Sequence, residues 1–327
     1  MSFNDGAQLD PSQVEDRRGG GMGRGTKIGG GIGGGIVVLL LALFGINPNI
    51  LGDLTGGGGQ PPTVDGGSAG AGGVQECQTG ADADKRLDCR ITGTVNSLNA
   101  FWPDYLAQYN VKYSRPGTVI FDSATNTGCG PATTAVGPFY CPADVKAYFD
   151  PGFFDELVTR FGSSGGPLAQ EYVVAHEFGH HVQNILGSLD QAQQDPQGPE
   201  SGAVRVELQA DCYAGLWVRH ATTQTDASGK PFLDPLTEQD LQDALSAASA
   251  VGDDRIQQAA TGRVSPESWT HGSSAQRQKM VLSGIHHGRH QQMRHLRRGC
   301  ALGRDATKNA TKKEGFRVLY PEPFLSR

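Results

Sequence analysis

The run His176-Glu177-Phe178-Gly179-His180 constrains this chain more than any other stretch of it. It lies within Leu168–Leu186, where the spacing of apolar residues predicts a helix closed at Gly187. Residues four apart share one helical face, so His176 and His180 can turn two imidazoles towards one ion. Glu177 sits one step round, able to reach a metal-bound water without ligating. Two neutral imidazoles and a carboxylate base at this spacing form the core of hydrolytic zinc sites. His181 follows directly, points about 100° away, and reads as a surface histidine.

A catalytic zinc takes three protein ligands and keeps one position for water. A second predicted helix, Ala203–Ala221, offers Glu207 and Asp211, again on one face. Its neighbours Val204, Leu208, Cys212, Gly215 and Leu216 are apolar or small, so much of this helix should be buried. Buried carboxylates are costly unless paired or metal-bound. Glu207 is therefore the expected third ligand of a Zn2+ ion. Asp211 is the expected acceptor that fixes the tautomer of a ligand histidine.

The rest of the chain divides by composition. Of 327 residues, 47 are glycine, concentrated before position 75. Residues 1–27 read as a polar, Gly-rich tail carrying Arg17, Arg18, Arg24 and Lys27. Residues 28–52 are uncharged and include the apolar block Ile36–Phe44, about the length of one membrane-spanning helix, roughly 20 residues. Positive charge precedes this stretch, and Asp53 and Asp65 follow it. That pattern predicts a single-pass anchor with a cytoplasmic N-terminus and the remainder in the periplasm or outside the cell. Residues 53–75 read as a flexible linker. The net charge of −6 gives no basic surface for nucleic acid. Six cysteines permit disulfides on the oxidising side, and the local pairs Cys77/Cys89 and Cys129/Cys141 are expected.

In the globular part, Ser97–Gln108 has helical spacing. Lys112–Asp122 reads as a strand, with shorter β-runs at Gly137–Cys141 and Val145–Asp150. Further helices are predicted at Phe153–Phe161 and Glu238–Val251, the latter entered through Thr237 and Asp240.

The stretches HEFGHHVQ (His176–Gln183) and ELQADCYAG (Glu207–Gly215) resemble those of the bacterial neutral zinc metallopeptidases. These are gluzincin-like enzymes with an N-terminal membrane segment. The resemblance extends to Cys129-Gly130, Gly137–Asp144, Val251–Arg255 and His271–Arg277, so it covers about 77–277. It implies an α+β, zincin-like domain over 76–277, with a small mixed sheet packed on the active-site helix. It also implies His176, His180 and Glu207 as metal ligands, Glu177 as catalytic base and Asp211 as partner to a ligand histidine. His271 is the candidate catalytic donor to the developing oxyanion. The expected activity is peptide-bond hydrolysis by a membrane-anchored zinc peptidase on a peptide or protein substrate. A silent scaffold of the same fold and an amidohydrolase on a non-protein amide are the alternatives.

After Arg277 the resemblance stops, and residues 278–327 form a divergent, basic, His-rich tail. Suitable codons for His286–Leu296, read one base later, spell Thr-Thr-Gly-Asp-Ile-Asn-Lys-Cys-Asp-Thr and then Phe. That matches the ending of the family pattern. The tail from about 278 therefore reads as a frameshift product, unselected and without a fold of its own.

Overall fold

The computed structural model describes residues 1–19 and 73–287. Strand β1 (Glu15–Asp16) lies in the first of these segments. The second opens with helices α1 (Gly80–Lys85) and α2 (Leu87–Ala107). It continues through β2 (Gly117–Ile120), the hairpin β3 (Ala124–Thr127) and β4 (Gly130–Thr133), and then β5 (Phe139–Cys141) and β6 (Lys146–Phe149). Helices follow: α3 (Pro151–Thr159), α4 (Pro167–Leu186), α5 (Asp190–Gln194), α6 (Gly202–His220), α7 (Glu238–Ala250), α8 (Asp253–Thr261) and α9 (Ser274–His287).

The main sheet has four strands in the order β1-β2-β6-β5. β1, β2 and β6 run parallel, and β5 is antiparallel to β6 at one edge. The expected α+β class with a small mixed sheet is thus met. Val119, Phe121, Phe139 and Tyr148 form a small core with the β3–β4 hairpin, while Ile120, Tyr140, Ala147 and Phe149 join the large helical core. This split follows from strand alternation, which sends successive side chains to opposite faces. The two expected local disulfides are formed, Cys77–Cys89 and Cys129–Cys141. Cys212 is also disulfide-bonded.

Three expectations about the chain's organisation are corrected. Residues 1–19, read as a polar tail, belong to the domain. Met1, Phe3, Ala7, Leu9 and Val14 are buried, and β1 pairs with β2. Met1, Phe3, Ala7 and Leu9 keep the parity of a strand, but Asp5 interrupts them and Val14 breaks the alternation, so the pattern is too short to mark a buried segment in the sequence. The linker ends earlier than residue 75, since Val74 is buried in a short helical turn. The proposed span 28–52 lies outside the described residues, and no described helix is long and apolar enough to cross a membrane.

The third correction concerns the tail. Residues 278–287 continue α9, and Met280, Val281 and Ile285 are buried in the core. A Cβ on Gly284 would sit 2.1 Å from the carbonyl oxygen of Cys212, so α9 and α6 approach nearly backbone to backbone. An apolar residue recurring with helical period is enough to hold this helix, whatever the origin of its codons. Residues 288–327 lie outside the described part.

Candidate metal centre

Helix α4 carries the histidines and α6 carries the acids. Gly179, between His176 and His180, is where the two helices meet. A Cβ there would stand 3.0 Å from both the Cα and the carbonyl oxygen of Ala210. This close approach brings the α6 carboxylates within reach of the α4 imidazoles. Ligand atoms of His176, His180 and Glu207 all lie within 4.8 Å of one another. Nε2 of His176 is 3.2 Å from Oε2 of Glu207, and Nε2 of His180 is 3.4 Å from Oε1.

Each histidine is oriented through its other nitrogen. Nδ1 of His176 donates to Oδ1 of Asp211 at 2.9 Å. Nδ1 of His180 donates to Oε1 of Gln183 at 2.8 Å. Both Nδ1 protons are therefore directed away from the centre, and both Nε2 atoms face Glu207. Gln183 is itself fixed, because its amide nitrogen donates to the Val206 carbonyl at 2.7 Å and to Gln209 at 3.0 Å. That orientation leaves its oxygen for His180.

Asp211 is wholly buried and also accepts from Tyr172. Arg277 balances its charge, donating from Nε to Oδ2 and from Nη2 to Oδ1, each at 2.9 Å. Burial alone would raise the Asp211 pKa, but Arg277 and His176 outweigh it and hold the carboxyl below its usual range. Glu207 is likewise held well below the usual carboxylate range: burial opposes this, and the charges and hydrogen bonds of His180 and His176 prevail. Burial also disfavours a charge on His176, yet hydrogen bonds to Asp211 and Glu207 push its pKa up to about 10. Two buried carboxylates thus draw a proton onto an imidazole between them. A site with that demand for positive charge, and with two imidazole nitrogens and a carboxylate converging, fits a Zn2+ ion in both charge and donor type.

Glu177 lines the same pocket as His176, Glu207, His271 and Arg277, a cavity of about 180 Å³. Burial is the main cause that raises its pKa, which suits a base that must both take and return a proton. His271 reaches the pocket from the loop before α9. Its Nδ1 lies 3.2 Å from Oδ1 of Asp253. The other Asp253 oxygen accepts the backbone amides of Thr270, His271 and Gly272 at 2.8, 2.7 and 2.9 Å. Burial opposes charge on His271, but Asp253 more than offsets it, so the imidazole pKa is raised.

All the expected site residues, His176, Glu177, His180, Glu207, Asp211 and His271, therefore come together. Tyr172, Gln183, Asp253 and Arg277 were not singled out from sequence. Gln183, Asp253 and Arg277 stood inside the stretches that carried the resemblance, which was the available signal. His181 does not face the metal centre, as expected, but it is not on the surface. It is buried, within 3.0 Å of the Tyr140 hydroxyl and 2.6 Å of the Ser114 carbonyl, and ties α4 to the sheet edge. Cys77, Cys89 and Asp88 also cluster, but the two sulfurs are bonded to each other.

Paired histidines one helical turn apart, a carboxylate from a crossing helix and a second carboxylate at the pocket form a candidate metal centre with the donor set that zinc hydrolases use. The chain belongs to the family described as "Putative neutral zinc metallopeptidase", whose model matches residues 5–295. That match takes in the N-terminal segment and α9, beyond the 77–277 of the sequence resemblance. An uncharacterized protein of Mycobacterium tuberculosis is 56% identical over 216 residues, covering 66% of this chain and 72% of that protein. A Mycobacterium bovis protein, also uncharacterized, matches to the same extent. The uncharacterized protein YpfJ of Escherichia coli is 42% identical over 192 residues, covering 57% of this chain and 63% of YpfJ. No solved structure matches.

Proposed function

We propose that this chain is a zinc-dependent endopeptidase of the zincin kind. The observation that carries this reading is the convergence of His176, His180 and Glu207 within 4.8 Å, beside a pocket that Glu177 also lines. His176, His180 and Glu207 would hold the zinc. A zinc held there would supply a Lewis acid for the scissile carbonyl and would acidify the attacking water. Glu177 takes the proton of that water and returns it to the leaving nitrogen. His271, whose pKa is raised by Asp253 beside it, donates to the oxygen that gains charge. Asp211 and Gln183 hold the two ligand imidazoles in the tautomer that keeps Nε2 available.

An extended peptide is the substrate this geometry suits. β5 is an edge strand, and the pocket wall at Thr134–Pro138 runs directly into it. A peptide laid along that edge gains backbone hydrogen bonds without needing a particular sequence. We place the domain outside the cytoplasm, because its disulfides require an oxidising compartment. We assign membrane attachment to residues 28–52, with residues 1–19 and 73–287 on one side of that membrane.

The test is zinc content and peptide cleavage by the full chain, alongside two variants. Glu177→Gln should keep its zinc and lose roughly 100- to 10,000-fold in kcat. His180→Ala should lose zinc. A folded wild-type chain that binds no zinc would sink the reading.

A further inference from the structure

We infer that the pocket beside the metal centre selects a single bulky apolar side chain, leucine- or phenylalanine-sized, next to the bond that is cut. This inference rests on the peptidase reading. The outer wall is built from Val136, Pro138, Phe153, Phe161, Val251 and Ile256, brought together from the β4–β5 connection, α3 and its end, and α7–α8. Glu156 and Arg160 also line the pocket, but they pair with each other at 3.4 Å and leave no uncompensated charge to recruit a charged side chain. Of the charged groups of the floor, Arg277 is engaged with Asp211, His271 with Asp253 and Glu207 with the two histidines, while Glu177 is the catalytic base of the proposed reaction. Size points the same way. An apolar cavity of roughly 150 Å³ accepts a benzene ring, and this one measures about 180 Å³. Because that volume includes the space over the catalytic floor, the apolar wall leaves room for one phenyl or isobutyl group and no more. A charged side chain would be desolvated there without a partner.

The test is a set of peptides identical except at the residues flanking the scissile bond, cut by the zinc-loaded full chain. Phenylalanine or leucine at the selected position should raise kcat/KM about 10- to 100-fold over alanine. Glutamate or lysine there should fall below alanine. Ile256→Asp, which puts a charge into the wall, should lower the Phe-to-Ala ratio at least about tenfold. Phe153→Ala, at another part of the wall, should lower it too, so one poorly folding variant does not decide the matter. Cleavage without preference among the peptides overturns this inference and leaves the peptidase reading standing. No cleavage of any peptide overturns both.

A second inference rests on different residues. The geometry points to residues 1–19 and 73–287 lying on the same side of any membrane. Phe3 packs on Gly93 so closely that a Cβ there would meet its ring at 2.5 Å. The Leu9 amide donates to the Gln78 carbonyl at 2.9 Å, and the Asp10 amide donates to Asn96 at 2.7 Å. The two segment ends also converge. Arg18 pairs with Asp16 and with Asp88 of α2, each at 2.7 Å, while the Val74 amide donates to Asp16 at 3.2 Å. A chain that leaves and re-enters the domain at Asp16 cannot cross a membrane once in between. Both described segments then lie on one side, in place of the single-pass arrangement with a cytoplasmic N-terminus.

Asp5→Cys and Thr159→Cys, both at exposed positions, test this in the full chain with a membrane-impermeant maleimide on intact cells. Equal labelling, or equal protection that detergent relieves at both, supports the inference. Labelling of one and protection of the other overturns it.

Discussion

The side-chain oxygen of Gln183 stands 2.8 Å from Nδ1 of His180, and Gln183 can present no other atom there because its amide nitrogen is spent on Val206 and Gln209. His180 is thereby held in the tautomer that leaves Nε2 for a metal. Replacing Gln183 with leucine removes the acceptor and keeps most of the volume. Zinc affinity should fall about 10- to 100-fold, the usual cost of losing the hydrogen-bonding partner of a ligand histidine. Competition with a chelating dye measures it. An unchanged affinity would show that helix packing alone orients His180.

Arg277 does for Asp211 what charge balance requires. Removing one partner of a buried ion pair leaves the other uncompensated, at a cost of about 3–5 kcal/mol. Arg277→Gln should therefore lower the thermal midpoint of the metal-free chain, and calorimetry would register the loss. Zinc should restore part of the lost stability by binding only the folded state.

The His271–Asp253 pair should leave a pH signature. His271 is raised above its ordinary 6.5, so its contribution is complete below 6.5 and is lost as pH rises through the folded value. Asp253 is lowered from 3.8, so its contribution is present above 3.8 and fades as pH falls through its folded value. The pair stabilises the fold between those two limits. In Asp253→Asn the midpoint of the His271 titration, followed by NMR, should move to lower pH, and the alkaline limb of kcat/KM should move with it. A midpoint that stays in place would mean that Asp253 serves only to brace the backbone of 270–272.

Packing of α9 on α6 allows no side chain at position 284. Gly284→Ala would set a methyl 2.1 Å from the Cys212 carbonyl and 2.6 Å from the Leu216 amide. Overpacking of this kind costs about 1–3 kcal/mol. Denaturant unfolding should show that loss with the slope unchanged. An alanine variant as stable as the wild type would mean that residues 278–287 do not form part of the core.

Phe3 tests the N-terminal segment. Its ring is buried against α2, and truncating a buried phenylalanine costs about 3–5 kcal/mol. A true tail would lose nothing on Phe3→Ala. Thermal unfolding of that variant in the full chain separates the two.

The sequence alone picked out the residues that converge at the candidate metal centre and the helices that bear them. Spacing four residues apart is a local property, fixed by helical pitch, so His176, His180, Glu207 and Asp211 could be placed on faces without knowing the fold. The Thr237 capping box that starts α7 and the left-handed Gly187 that ends α4 are local in the same sense. Tertiary structure alone decided which residues complete the site. Arg277 reaches Asp211 across 66 positions and Asp253 reaches His271 across 18, and no periodic pattern links residues that meet only when helices cross. The N-terminal segment was hidden for the same reason. Met1, Phe3, Ala7 and Leu9 fall at alternate positions, but so short a run among polar residues does not announce a buried segment, and their burial depends on the elements that cover them.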